Sequence, residues 1–218
     1  MKRLFMCAVA VLALTALMHA GVVIGTTNSE NCIPWSCQDI HPGDFQQIYN
    51  GGAFPSVIDI GSISFFDTFY NGGGGIASMS YMIDLAVTSQ SVPDGSIPAG
   101  DVLFASGSLN GQNFPFGDTL TFTGAPFFYD PSTGNLELTV LVSNESGPLS
   151  GRYTYFDAGN GNPFSSWSPA YGYIQGYGLV TGFTATPEPS TLFMALMGAG
   201  VFAVGGGKRL KRRSSSES

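Results

Sequence analysis

The stretch MSYMIDLAVT at residues 79–88 decides the fold. Met79, Tyr81, Ile83, Leu85 and Val87 alternate with Ser80, Met82, Asp84, Ala86 and Thr88. A period of two places the first set on one face of an extended strand and the second on the other. The first face is apolar throughout, so the stretch reads as a half-buried strand. Leu136, Leu138, Val140 and Val142 repeat the pattern against Glu137, Thr139, Leu141 and Ser143. Residues 57–69, 102–109, 119–123, 152–156 and 177–184 are further strand candidates, rich in β-branched or aromatic side chains.

The segments between these runs carry turn chemistry. Asn71-Gly72-Gly73-Gly74-Gly75, Pro93-Asp94-Gly95, Asn110-Gly111, the run from Asp130 to Asn135, and Asn160-Gly161-Asn162-Pro163 supply positive φ or preset bends. No long amphipathic helix separates the strands. The expectation is an all-β body, an antiparallel β-sandwich or jelly roll, over residues 21–185.

Both chain ends differ from this body. Lys2 and Arg3 precede an apolar run from Leu4 to Met18 and then the small residues Ala20 and Gly21. That order is the one found in a secretory signal peptide, here residues 1–20, with a helical apolar region too short for a full span. Cys7 lies inside it and leaves with it. At the other end Thr186-Pro187-Glu188-Pro189-Ser190 precedes an apolar stretch over 191–207, followed by Lys208, Arg209, Lys211, Arg212 and Arg213. Those seventeen residues make a helix of about 26 Å, a marginal single transmembrane span. The prolines disfavour helix upstream of it, and the basic cluster stays cytoplasmic, which points the body outward.

Pro187-Glu188-Pro189-Ser190-Thr191-Leu192, the Gly-containing apolar segment and the basic run Lys208-Arg209-Leu210-Lys211-Arg212-Arg213 together resemble the PEP-CTERM sorting signal. The resemblance covers residues 186–213. It implies recognition and cleavage at or near the Pro-Glu-Pro motif by an exosortase, a membrane transpeptidase-like enzyme of Gram-negative bacteria that make exopolysaccharide. The partners so implied are the exosortase and the inner membrane as a transient anchor; exopolysaccharide is a partner only in the alternative reading of the body as a carbohydrate-binding module. The stretch from Phe128 to Leu138 also resembles a strand-turn-strand segment of PEP-CTERM ectodomains.

Charge narrows the function of the body. Of eight Lys and Arg in the chain, two lie in the leader and five in the tail. The body keeps Arg152 against thirteen acids from Glu30 to Asp157, a formal charge of −12. Such a surface opposes nucleic-acid binding, which needs clustered Lys and Arg. It also opposes adsorption to anionic lipid. The two cysteines of the body, Cys32 and Cys37, form a local disulfide in an oxidising compartment.

Other constellations are weaker. Cys32, Cys37 and His41 have spacing for three zinc ligands but no fourth, and the expectation is no metal and no cofactor. The acid pairs Asp59 with Asp67 and Asp130 with Glu137 fit the two carboxylates of a glycoside hydrolase, although thirteen acids make such pairs easy to find. Asp157, Asn160 and Asn162 have oxygen spacing suited to calcium, with turn formation the preferred role. Tyr155, Trp167, Tyr171, Tyr173 and Tyr177 suit either a core or a sugar-binding face. No catalytic residue is assigned. The reading is a non-enzymatic surface or matrix protein; the alternatives are a module that binds exopolysaccharide and, last, a carboxylate-dependent hydrolase.

Overall fold

A computed structural model of the chain describes residues 21–37, 44–70, 74–147 and 151–186. Residues 21–185 make one compact unit. Its strands in chain order are β1 (Val22–Ile24), β2 (Ser29–Asn31), β3 (Phe45–Tyr49), β4 (Ile58–Phe66), β5 (Gly74–Ile76), β6 (Ser78–Thr88) and β7 (Val102–Leu109). They continue as β8 (Gln112–Phe114), β9 (Thr119–Tyr129), β10 (Asn135–Ser146), β11 (Phe156–Ser168), β12 (Gly172–Leu179) and β13 (Thr181–Ala185). One sheet has the order β1-β13-β4-β9. The larger has the order β12-β11-β3-β10-β6-β7, with β2 also paired to β11, and β5 with β8 forms a separate ribbon. These pairings are all antiparallel. The architecture is sandwich-like and all-β.

The core lies between the two sheets. Ile60, Ile63 and Phe65 of β4 and Phe122 of β9 face Ile83 and Leu85 of β6 and Leu136, Leu138 and Val140 of β10 within one buried apolar cluster. Rings interlock across the gap: Tyr49 lies 5.1 Å from Phe183, and Tyr81 lies 4.9 Å from Phe122. Edge-to-face packing of this kind adds to the burial of the rings themselves. The β7 and β9 edges close one side, because the β9 backbone at Gly124 runs against the Phe104 carbonyl.

Several expectations need correction. The Asn160-Gly161-Asn162-Pro163 run is no turn: β11 continues through it as a bulge, with the register against β12 shifting between Asn160 and Ser165. Gly161 takes up the bend at φ 76°, and Pro163 withholds no amide that the disrupted ladder needs. Residues 177–184 are two strands, since the chain leaves the large sheet after Leu179 and enters the small one at Thr181. Of residues 152–156, Tyr153 makes an isolated bridge to Gly75 and a strand begins only at Phe156. The strand placed at 119–123 runs on through a bulge to Tyr129. The expected signal helix over 1–20 and span over 191–207 lie outside the described residues. Among the described residues no helix is long and apolar enough to cross a membrane.

The half-buried reading of β6 and β10 also changes. Asp84, Ala86, Glu137 and Thr139, on the face expected to meet solvent, are buried, whereas Val87 is exposed. The burial of these four follows from the loop 89–101 between β6 and β7, which is bonded to Gln46 over that outer face.

Candidate functional site

Strand register builds the roofed face. One row across the large sheet is Tyr173, Trp167, Gln46, Thr139 and Asp84, each paired with the next on the neighbouring strand. The adjacent row is Gln175, Ser165, Ile48, Glu137 and Ala86. The loop is tied down at its centre: Gly95 N donates to Gln46 Oε1 at 2.9 Å, and Gln46 Nε2 donates to the Ser96 carbonyl at 2.7 Å. Gly95, at φ 84°, lies so close to the Trp167 ring that an added Cβ would sit 2.7 Å from it. Glycine is required there on both counts.

Beneath the loop is a polar cavity of about 230 Å³ lined by Val87, Thr88, Ser89, Gln90, Ser96, Pro98, Ala99 and Glu137. Glu137 is 3 % exposed, and burial first, then the charge of Asp94, pushes its carboxyl up to about 7. Asp94 is held below the usual range by hydrogen bonds from the hydroxyl and amide of Ser96. Asp84 is raised by burial and by Asp101. The sequence reading missed this grouping because Asp94 and Glu137 are far apart in the chain and Glu137 sits on a strand face expected to be solvated. The signal available was Gln46-Gln47 inside an apolar strand, two amides that need partners when buried.

The acid pairs expected from sequence are not brought together. Asp59 and Asp67 stand at opposite ends of β4, eight positions and about 26 Å apart at a strand's rise. Asp130 is a turn residue whose Oδ1 accepts from Ser132 N and Oγ, and neither it nor Glu137 shifts the other's carboxyl. Asp67 instead meets Asp157 and Asp118; burial, then these two charges, pushes it up to about 6, and its buried Oδ1 has no hydrogen-bond partner. Asp157 is fully engaged, accepting from Thr68 N at 2.7 Å and Phe69 N at 2.9 Å and from the Thr68 and Thr27 hydroxyls.

Asn160 and Asn162 serve backbone closure in place of a turn. Asn162 accepts from Thr26 N at 2.6 Å and donates to Thr26 O, while the Asn160 backbone exchanges hydrogen bonds with the Asn28 side chain. Tyr171 and Tyr173 are exposed, Tyr177 donates to the Glu30 carbonyl, and Tyr155 packs on Tyr70.

Cys32 and Cys37 are joined in a disulfide with Cα atoms 5.3 Å apart. The loop they close is docked: Trp35 packs on Phe65 and Phe122, and Ser36 Oγ bridges the Gly75 carbonyl and Thr154 N. Both sulfurs are consumed, which removes the thiolates of the zinc arrangement; His41 lies outside the described residues. Among the described residues no three His, Cys, Asp or Glu side chains gather as a metal cluster.

The sorting motif Pro187, Glu188 and Pro189 and the basic residues Lys208, Arg209, Lys211, Arg212 and Arg213 lie outside the described residues, which end at Thr186, directly after β13. Comparison with known families matches residues 185–213 to the PEP-CTERM protein-sorting motif. No curated protein and no solved structure matches the chain. The motif is an exosortase recognition signal and implies export with carboxy-terminal membrane anchoring before processing. The chain carries a PEP-CTERM protein-sorting motif at its carboxy-terminal end.

Proposed function

We propose that the protein is a non-enzymatic component of the cell surface or extracellular matrix, anchored during export by residues 191–207 and freed by an exosortase acting at Pro187-Glu188-Pro189. The observation that carries this reading is the junction: the last strand ends at Ala185, where the sorting match begins. Every strand of the β unit precedes the motif, so cleavage within the motif leaves all of these strands in the released chain. The separation of Asp59 from Asp67 and the absence of charge coupling between Asp130 and Glu137 support a non-enzymatic role, because a hydrolase of that type needs two carboxyls facing one bond.

A second reading, binding of exopolysaccharide, is supported by the exposed rings of Tyr171 and Tyr173 at the edge of the large sheet. The sorting reading is tested by following the protein in hosts with and without an exosortase. Trimming and release should need the enzyme, and accumulation of full-length protein in the membrane should follow its loss. The binding reading is tested by pull-down with matrix polysaccharide. Replacement of Tyr171 and Tyr173 by Ala should abolish retention.

A further inference from the structure

We propose that a second cavity, of about 270 Å³ between the β11 bulge and the start of the loop 89–101, is a subsite for one sugar unit of a neutral glycan, with Tyr173 beside it as the stacking ring. This rests on the exopolysaccharide reading and narrows its ligand from any polysaccharide to an uncharged one.

Strand register lays out the site. Gln175 of β12, Ser165 of β11 and Ile48 of β3 are successive partners across the large sheet, and all three line the cavity. Tyr173 lies two residues before Gln175, so one face of β12 carries both, about 7 Å apart. Both side chains are exposed, Tyr173 to 43 %. An exposed ring next to a polar recess offers the two things a pyranose needs. Its C–H face packs on the apolar ring, and its rim of hydroxyls bonds the recess.

The polar groups of the recess are neutral and underused. Ser165 is 5 % exposed, yet its hydroxyl makes no hydrogen bond among the described residues. A hydroxyl so nearly buried calls for a partner. The Gln175 amide is likewise unengaged among the described residues, and it can both donate and accept. Asn50 accepts from Gly52 N at 2.9 Å through Oδ1, which leaves its Nδ2 to donate. The wall is set in advance: Asn135 accepts from Gly51 N at 2.9 Å and donates to the Gln90 carbonyl at 2.7 Å. Groups held in place before binding spare the ligand the entropy of ordering them.

Charge decides between kinds of glycan. No Asp, Glu, Lys, Arg or His lines the cavity, so no cation is there to hold a uronate. The body's formal charge of −12 repels one as well. The volume is near the lower end of small-ligand pockets, roughly 300 Å³, so one sugar ring fills it and the rest of the chain lies along β12 past Tyr173.

Calorimetric titration of the full chain, in a detergent without a sugar headgroup, tests this. The probes are neutral oligomers of glucose, mannose and galactose, and acidic oligomers of galacturonate and mannuronate. At least one neutral oligomer should bind, and the acidic ones should bind about tenfold more weakly or less. Ser165→Ala and Gln175→Ala should each weaken neutral binding by about three- to tenfold. Tyr173→Ala should weaken it by about tenfold. Thr121→Ala, on the exposed face of the small sheet, should leave it unchanged. Gln175 and Tyr173 are exposed, so their variants should melt with the parent, which separates a lost contact from a lost fold.

Neutral binding that falls with Tyr173→Ala but ignores both Ser165→Ala and Gln175→Ala would overturn the cavity assignment and leave the exposed-ring reading standing. Acidic oligomers that bind as tightly as neutral ones would overturn the ligand class. Retention by matrix polysaccharide without binding of any neutral oligomer would overturn the proposal alone; loss of both would remove the reading beneath it as well.

Discussion

The phenolic oxygen of Tyr49 lies 2.8 Å from Thr181 Oγ1, joining the centre of the large sheet to the first residue of β13 in the small one. Thr181 Oγ1 also lies 3.0 Å from the Leu179 carbonyl, to which it can donate, at the point where the chain changes sheets. Tyr49→Phe removes one buried hydrogen bond while Thr181 keeps its backbone acceptor, so the cost should be about 1 kcal/mol. Tyr49→Ala also removes the ring from Phe183 and Phe164 and should cost about 3–5 kcal/mol. Urea midpoints of the two variants should separate clearly; equal losses would show that the ring contributes nothing beyond its hydroxyl.

Stability should fall as pH rises between about 4 and 7. Glu137 is raised from 4.5 to about 7 and Asp67 from 3.8 to about 6, both chiefly by burial. In that window the native state keeps protons that the unfolded chain has released, so each group's contribution is complete below its unfolded value and lost by its folded one. Asp94 and Asp130, held low by Ser96 and Ser132, act in the opposite sense, in more acid solution. Denaturation midpoints should be higher at pH 5 than at pH 8. Glu137→Gln and Asp67→Asn should each flatten the profile, and an unchanged profile in both would contradict the assignment.

Gly124→Ala should destabilise by about 1–3 kcal/mol, because its Cβ would stand 2.2 Å from the Phe104 carbonyl oxygen and the backbones of β9 and β7 would have to part. At Gly107 the nearest atom to an added Cβ is the Tyr81 hydroxyl at 2.9 Å, the end of a side chain that can turn away. Gly107→Ala should therefore cost less. Thermal melts of the two variants give the comparison.

The Cys32–Cys37 link closes a short loop, for which chain entropy gives about 2 kcal/mol. Replacing both cysteines by Ser should lower the melting midpoint by roughly 4–8 °C. Intact mass of exported protein after alkylation without reductant should show neither cysteine modified; two labelled thiols would count against the bond.

Much of this fold is legible as alternation. Ile83, Leu85, Leu136, Leu138 and Val140 lie in the core where their period of two puts them. The disulfide follows from two cysteines and an export signal. Alternation fails where tertiary cover intervenes: Asp84 and Glu137 look solvent-facing until the loop 89–101 roofs them. Bulges mislead in the same way, since Asn160-Gly161 has turn chemistry yet bends a strand without ending it. Strands of three residues, such as β2 and β5, have no period to read. The influence of Asp94 on Glu137 is invisible because the fold of the loop 89–101 over the sheet, tied to Gln46, creates it.

On the proposed function, Pro187-Glu188-Pro189 is a processing signal that follows the last strand of the β unit. Intact mass spectrometry of the protein recovered from the surface and medium of an exosortase-containing host tests it most directly. Exosortase processing should yield a species that ends at or near the motif and lacks Lys208 to Arg213. Full-length protein should remain in the membrane when the enzyme is deleted or Pro187, Glu188 and Pro189 are replaced by Ala. Release of protein with an intact tail, or unchanged trimming of the substituted chain, would contradict it.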